Sequence, residues 1–135
     1  MAVAARDGRM TVVLVAEDDA AQLQGLTAFL RHAGFKVHPA RSGCEALAVA
    51  ERVRPDAAIC DWNLGGSPDG ADLVLELQSA YPDLVPIFIT GADVSKLKGR
   101  TRNVREPTYF SKPVAPERLL QALAAAGCEP QQAAC

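Results

Sequence analysis

Ala57-Ala58-Ile59-Cys60-Asp61, residues 57–61, is an unbroken apolar run that ends on an acid. A strand exposed on one face alternates apolar and polar residues, whereas a run without alternation suits a strand buried on both faces of a parallel sheet. The same figure recurs on either side. Thr11 to Ala16 runs into Glu17, Asp18 and Asp19, and Val85 to Ile89 runs into Thr90. The shorter Tyr109-Phe110-Ser111 run leads into Lys112-Pro113. If these runs are parallel strands of one sheet, their carboxyl ends form a single rim, which is where open α/β sheets bind ligands.

The stretches between the runs repeat at helical spacing. Leu23, Leu26, Leu30 and Ala33 mark a first helix, stopped by Gly34. Phe35-Lys36-Val37-His38 alternates, as a strand covered on one face does. Ser42 and Glu45 form a capping box for a second helix, which carries Ala46, Leu47, Ala50 and Val53 as far as Arg54-Pro55. A polar loop from Gly65 to Gly70 precedes a third helix on Leu73, Val74, Leu77 and Ala80, closed by Tyr81-Pro82. The last helix begins near Pro116, uses Leu119, Leu120 and Leu123, and stops at Gly127. This alternation predicts an α/β fold: a doubly wound, five-stranded parallel sheet with helices on both faces. The alternating second run and the mixed fifth run suit sheet edges. That gives the flavodoxin-like order 2-1-3-4-5, with its switch point between strands one and three, where Glu17, Asp18 and Asp61 meet.

With 135 residues, the chain has room for one ordinary domain, read as residues 11–126 between an N-terminal extension (1–10) and a C-terminal tail (127–135). Cys128 to Cys135 show no burial pattern and are expected to fray. An apolar share of 49% excludes general disorder, and a net charge of −2 gives no argument for nucleic acid. No run approaches a membrane span, and residues 1–10 lack the apolar stretch of a signal peptide. Cys44, Cys60, Cys128 and Cys135 lack metal-ligand spacing, so a reduced, cytoplasmic protein is the economical reading. Asp93 to Glu106 should hold a fourth helix, but Val94, Leu97 and Val104 are its only aliphatic residues and Gly99 interrupts it, so a short, poorly anchored helix is expected. Lys96, Lys98, Arg100, Arg102 and Arg105 make this stretch either a solvated charged loop or a loosely packed basic output surface.

The rim has a chemistry. Glu17, Asp18 and Asp61 offer the hard oxygen ligands that Mg²⁺ prefers, and clustered carboxylates without a metal should raise one pKa among them. A carboxylate can attack phosphorus to give an aspartyl-phosphate, and Asp61, at the end of a central strand, is the first candidate. Phosphoryl transfer needs positioning and neutralisation of the equatorial oxygens, which Mg²⁺, Lys112 and the Thr90 hydroxyl can supply. Singly, each element has an ordinary reading: Asp18 or Asp19 as a helix cap, Asp61-Trp62-Asn63 and Lys112-Pro113 as turns, Thr90-Gly91 as a strand exit. Their joint placement at four strand ends favours the site.

Over about residues 11 to 126 the chain resembles the response-regulator receiver domains of bacterial two-component signalling, of the chemotaxis-regulator type. Val13-Leu14-Val15-Ala16-Glu17-Asp18 matches the family's acidic pair, and Asp61 its phosphoacceptor. The resemblance implies metal binding by Glu17, Asp18, Asp61 and the Asn63 carbonyl, with Mg²⁺ as the ion and Mn²⁺ as a substitute. It makes Thr90 the switch hydroxyl, Gly91 the small residue leaving room for the phosphoryl group, Tyr109 the rotating aromatic, and Pro113 a cis-proline after Lys112. It implies a phosphoacceptor module rather than an enzyme, phosphorylated by a histidine kinase or a histidine phosphotransfer protein. The fourth-helix, fifth-strand, fifth-helix face would then switch towards an output protein the sequence does not name. The Gly65 to Gly70 loop is longer than usual for the family, and the fourth helix is more polar.

Three other functions compete. A flavin-binding protein needs a hydroxyl- and glycine-rich loop where Glu17-Asp18-Asp19 stands. An aspartyl-phosphate phosphatase needs a second acid where Asn63 stands. A phosphorylation-independent docking module (a pseudo-receiver) would have no need of the full residue set. Neither membrane insertion nor DNA binding is expected, since nothing after Gly127 reads as an output domain.

Overall fold

Parallel pairing of the continuous apolar runs builds the centre of the sheet. The computed structural model describes residues 10–130, in which strands and helices alternate strictly. The strands are β1 (Val12–Ala16), β2 (Lys36–Ala40), β3 (Ala57–Asp61), β4 (Val85–Thr90) and β5 (Thr108–Ser111). The helices are α1 (Ala20–His32), α2 (Gly43–Val53), α3 (Gly70–Ala80), α4 (Val94–Arg100) and α5 (Pro116–Ala125). All pairings are parallel, in the order β2-β1-β3-β4-β5. This is the order expected from the sequence. Every residue of β3 is buried, while β2 alternates and no residue of β5 is fully buried, as edge strands allow. Pro39 also lies in β2, opposite Val15, on an edge strand where a missing amide donor is tolerated.

Alternate side chains of the sheet feed two cores. Val13, Val15, Ile59 and Ile87 pack under α1 and α5 with Leu30, Leu119 and Leu123. Leu14, Ala58, Cys60 and Phe88 pack on the other side with Leu73 and Leu77 of α3 and Leu97 of α4. A fully buried aliphatic or aromatic side chain contributes about 1.5–3 kcal/mol over an exposed one, so these layers dominate the surface ion pairs described below. Burial, then the charge of Asp61, pushes the Cys60 thiol up to about 12, which keeps it an inert apolar filler.

The helix ends follow local chemistry. Asp19 caps α1, its carboxylate accepting from the Gln22 amide, which leaves Asp18 free of that duty. Ser42 accepts from the Glu45 amide at 3.0 Å, and Glu45 reaches back to the Arg41 amide. Asp69 caps α3 through the Asp72 amide.

Two expectations are corrected. Cys128 does not fray. Gly127 takes φ 87 and turns the chain back, so that Cys128 is buried in the α1–α5 core and the Glu129 carbonyl accepts from Oγ1 of Thr11 at 2.8 Å. A single apolar residue beyond a glycine has no periodicity to announce it. The remaining tail, residues 131–135, and residues 1–9 of the N-terminal extension lie outside the described residues. The second correction concerns the 94–105 stretch. Its helix is indeed short, but Leu97, Thr101 and Val104 are all nearly inaccessible, at 1%, 1% and 5% exposure. Arg105 is tied at both ends: its amide donates to Oε1 of Gln78 at 2.9 Å, and its Nη2 to the Pro82 carbonyl at 2.9 Å. The segment is therefore anchored, largely by polar groups that a count of aliphatic residues passes over.

Gly70, the first residue of α3, abuts the end of β3. A Cβ there would lie 2.6 Å from the Asp61 carbonyl oxygen and 3.1 Å from Cα of Trp62, both backbone atoms. Gly70→Ala is therefore expected to lower stability by about 1–3 kcal/mol despite alanine's better helix propensity. Urea unfolding measures this; a more stable variant would mean that the β3–α3 junction can yield.

Candidate functional site

The carboxyl ends of β1, β3, β4 and β5 meet on one rim. Glu17 follows β1 directly, and its amide donates to the Ala40 carbonyl at 3.0 Å. Asp61 ends β3, Thr90 ends β4 opposite Ser111, and Lys112 follows β5, its amide donating to the Thr90 carbonyl at 2.8 Å. Glu17 and Asp61 are each only 7% exposed. Between them stands the Lys112 ammonium, which donates to Oδ2 of Asp61 at 2.8 Å and to Oε1 of Glu17 at 3.2 Å.

Asp18 completes the acid cluster from an exposed position. One carboxylate oxygen from each of Glu17, Asp18 and Asp61 lies within 4.8 Å of the others. Such a set of hard oxygens on a solvent-open cavity fits a small divalent cation that keeps part of its water shell. Asn63 is exposed beside it. The Asn63 amide donates to Oδ1 of Asp61 at 3.1 Å, and its side-chain oxygen accepts from the Gly65 amide at 3.1 Å. Gly65 has φ 75, and a Cβ on it would meet Oδ2 of Asp18 at 3.4 Å.

On the β4 side, the Thr90 hydroxyl oxygen accepts from the Ala92 amide at 2.9 Å. A Cβ on Gly91 would meet nothing within 4 Å, so the space there is open. The Lys112-Pro113 peptide is cis, as is Ser67-Pro68 in the longer loop. Tyr109 stands outside the cavity. Its ring stacks on Phe88 with centroids 5.7 Å apart, its hydroxyl meets Oγ1 of Thr101, and the Lys98 ammonium lies over its face. The rim thus brings together Glu17, Asp18, Asp61, Asn63, Thr90, Gly91 and Lys112, with Tyr109 behind it. The sequence reading gives Asp69 no part in the site and takes Arg100 only as one of the basic residues of the 94–105 stretch. Asp69 borders the cavity, and Arg100 reaches it from α4 with Nη2 3.0 Å from Oδ2 of Asp69. The Asp69-to-Asp72 spacing is a helix-cap signal that could have pointed to Asp69; a lone arginine carries none.

The electrostatics follow from this crowding. Burial first, then hydrogen bonding and charge interaction with Asp61, pushes Glu17 up from 4.5 to about 7, against the lowering effects of the Asp19 amide and of Lys112. Burial alone would lower the Lys112 pKa, but its hydrogen bonds to Asp61 and Glu17 and their charges outweigh it, and the net shift is upward.

The response regulator receiver domain family matches residues 13–124. This chain belongs to that family. Among curated relatives, the probable transcriptional regulatory protein TcrX of Mycobacterium tuberculosis is 31% identical over 123 residues, 88% of this chain and 50% of TcrX. The sensor kinase CckA of Brucella abortus is 37% identical over 86 residues, 62% of this chain and 9% of the kinase. The receiver chain therefore spans half or less of the length of these two relatives. Among solved structures, the chemotaxis response regulator CheY4 of Vibrio cholerae superposes with a TM-score of 0.76 at 30% identity, covering 87% of this chain and 99% of CheY4. Receiver domains are signalling modules of two-component systems and their phosphorelays rather than classical enzymes. Among the described residues no helix is long and apolar enough to cross a membrane.

The raised Glu17 pKa predicts a pH dependence. In the metal-free fold Glu17 keeps its proton to about 7, whereas an ordinary carboxyl loses it near 4.5. Between those values the folded receiver binds more protons than the unfolded chain, so this group's contribution to stability is fully present below 4.5 and is lost as pH rises towards 7. Urea midpoints in EDTA should therefore fall across this window for the wild type relative to Glu17→Gln. A parallel course of the two proteins would contradict the shift.

Proposed function

We propose that this receiver accepts a phosphoryl group on Asp61, with Mg²⁺ bound by Glu17, Asp18, Asp61 and the Asn63 carbonyl, Glu17 acting directly or through water. The observation that carries the reading is Lys112 held at 2.8 Å from Asp61 inside the acid cluster, a cation beside the one carboxylate that ends a central strand. When bound, Mg²⁺ would neutralise charge on the phosphoryl oxygens; Mn²⁺ has the same ligand preference and would substitute.

The chain's own residues account for the remaining requirements. A carboxylate oxygen of Asp61 attacks phosphorus as the bond to the donor nitrogen breaks, and the imidazole leaves with its electron pair. Lys112 then faces the phosphoryl oxygens. The Thr90 hydroxyl, whose oxygen accepts from the Ala92 amide at rest, still has its proton to donate to one of them. The open space at Gly91 leaves room for the group. Movement of Thr90 would be felt by Tyr109, which packs between β4 and the α4 segment through Phe88 and Thr101, so the α4-β5-α5 face is the surface that would change.

The donor class is a histidine kinase or a histidine phosphotransfer protein, and the receiver of the signal is a further protein docking on that face. A cytoplasmic setting suits such a donor. Similarity both to a regulator from M. tuberculosis and to part of a sensor kinase leaves two architectures consistent with this role, a separate regulator and a domain of a hybrid kinase.

Acetyl phosphate with Mg²⁺ should add one acid-stable, base-labile phosphate, read as a single retarded band by Phos-tag electrophoresis. EDTA and Asp61→Asn should each abolish it. Lys112→Ala should accept the group more slowly, by roughly 10²-fold if it acts as a single electrostatic donor. Full labelling of Asp61→Asn would refute the assignment, and a receiver that takes no phosphate under any of these conditions would act as a docking module instead.

A further inference from the structure

The loop between β3 and α3 borders the site and has few holds of its own. Gly65, Gly66 and Ser67 are exposed, and Leu64 is the loop's one fully buried side chain. From outside, Pro68 rests against Gly43 of α2, where a Cβ would come within 2.4 Å of the Pro68 carbonyl oxygen. Cys44 of α2 reaches the Ser67 carbonyl with its Sγ at 3.8 Å, and a further outside hold is Arg100, the last residue of α4. Its Nη2 lies 3.0 Å from Oδ2 of Asp69 and 3.4 Å from Oδ1 of Asp72, and its guanidinium carbon 5.3 Å from the centre of the Trp62 ring.

Those partners sit on the backbone that shapes the acceptor. Trp62 follows Asp61, its amide donates to the Ile89 carbonyl at 2.9 Å, and its carbonyl accepts from the Gly70 amide at 3.2 Å. The next residue, Asn63, donates its amide to Oδ1 of Asp61. Trp62 thus lies in the chain between the Asp61 carboxylate and the Asn63 amide that donates to it, so a displacement of its backbone would disturb both. We propose that Arg100 is a positioning residue. By stacking on Trp62 and pairing with Asp69 it holds the loop after Asp61 in the arrangement that takes the metal, and so couples occupancy of the site to the position of α4. This rests on the metal reading of the acid cluster given above.

The residue type matters. An exposed ion pair by itself contributes little, but a planar guanidinium can lie over an indole while one of its nitrogens meets a carboxylate, a geometry that the compact lysine ammonium does not reproduce. Arg100 also occupies Asp69, which would otherwise stand as a further uncompensated charge on the rim. α4 has seven residues, too few to be stable alone, so its last turn depends on Leu97 and on the partners it finds. Coupling of this kind is reciprocal: a partner that shifts α4 changes metal affinity by the same factor by which metal changes the partner's affinity.

Trp62 is the only tryptophan in the sequence, so its emission reports on the contact directly. Mg²⁺ is titrated into the full chain, as wild type, Arg100→Lys and Arg100→Gln, following Trp62 emission. Both variants should shift the emission before any metal is added, leave the urea midpoint nearly unchanged, and weaken Mg²⁺ by about fivefold. Wild-type affinity in both variants overturns the role of Arg100 and leaves the metal reading intact. Wild-type behaviour of Arg100→Lys alone reduces the effect to the charge on Asp69 and overturns positioning by stacking. A lowered urea midpoint with unshifted emission makes Arg100 only a stabilising contact, which also overturns the proposal. A wild type that binds neither Mg²⁺ nor Mn²⁺ by emission or calorimetry overturns the metal reading, and this inference with it.

Discussion

Lys112 sits between two carboxylates that water scarcely reaches, and the rest of the site is arranged around that contact. Asp61 ends β3, Glu17 follows the neighbouring β1, and each is 7% exposed. Two such charges without a cation between them would be costly, and removing one member of a buried pair leaves the other uncompensated. The ammonium lies 2.8 and 3.2 Å from the two, and the Glu17 pKa is raised nonetheless, by burial first and then by its contacts with Asp61. With Asp18 at the same cavity, the cluster carries more negative charge than Lys112 can offset. On the function proposed above, a divalent cation bound there would offset the remainder.

The position of Lys112 is a consequence of the whole fold. It follows β5, which pairs with β4 in a register that sets Ser111 opposite Thr90. That register holds because Phe88 and Tyr109 stack on one side of the sheet while Ile87 and Ile89 enter the core under α1 and α5. A slip of one residue would exchange the two faces and carry Lys112 away from the acids. The order β2-β1-β3-β4-β5 puts the ends of β1 and β3 side by side at the switch point, with β4 and β5 reaching in from one side.

This explains what could be read from the residues in advance. The sheet and its order were legible because strands buried on both faces leave continuous apolar runs, and the edges leave alternating or short ones. Glu17, Asp61, Thr90 and Lys112 were legible because they follow those runs immediately. The division of labour between Asp18 and Asp19 was not, since both are exposed acids at a helix start; only the Asp19 contact with the Gln22 amide separates them. Nor was the burial of Thr101 and Cys128 or the pairing of Gln78 with Arg105, because each is one residue meeting a distant one, with no period and no motif. Arg100 belongs to the same class. The basic stretch from Lys96 to Arg105 read as a solvated loop or a loosely packed output surface, yet two of its arginines, though exposed, pair with neighbouring segments.

The site therefore has a fixed side and an adjustable side. Glu17, Asp61 and Lys112 stand at strand ends backed by two cores, where displacement would disturb several buried side chains at a time. Asn63, Asp69 and the residues after Thr90 stand on loops held by single hydrogen bonds and exposed ion pairs, each contributing on the order of 1 kcal/mol or less. A change of one or two charges at Asp61 is ample to rearrange contacts of that size and too small to unmake the cores. Any conformational response to chemistry at Asp61 should accordingly begin in the β3–α3 loop, the β4–α4 loop and α4 before it reaches the rest of the α4-β5-α5 face, and it reaches α4 by two routes. One runs from Thr90 past Phe88 and Tyr109 to Thr101, and the other from Trp62 to Arg100. Both routes lead to α4 or to Thr101 just after it, so on the proposed function α4 would register the state of the acceptor from two sides, while the central strands stay where the two cores hold them.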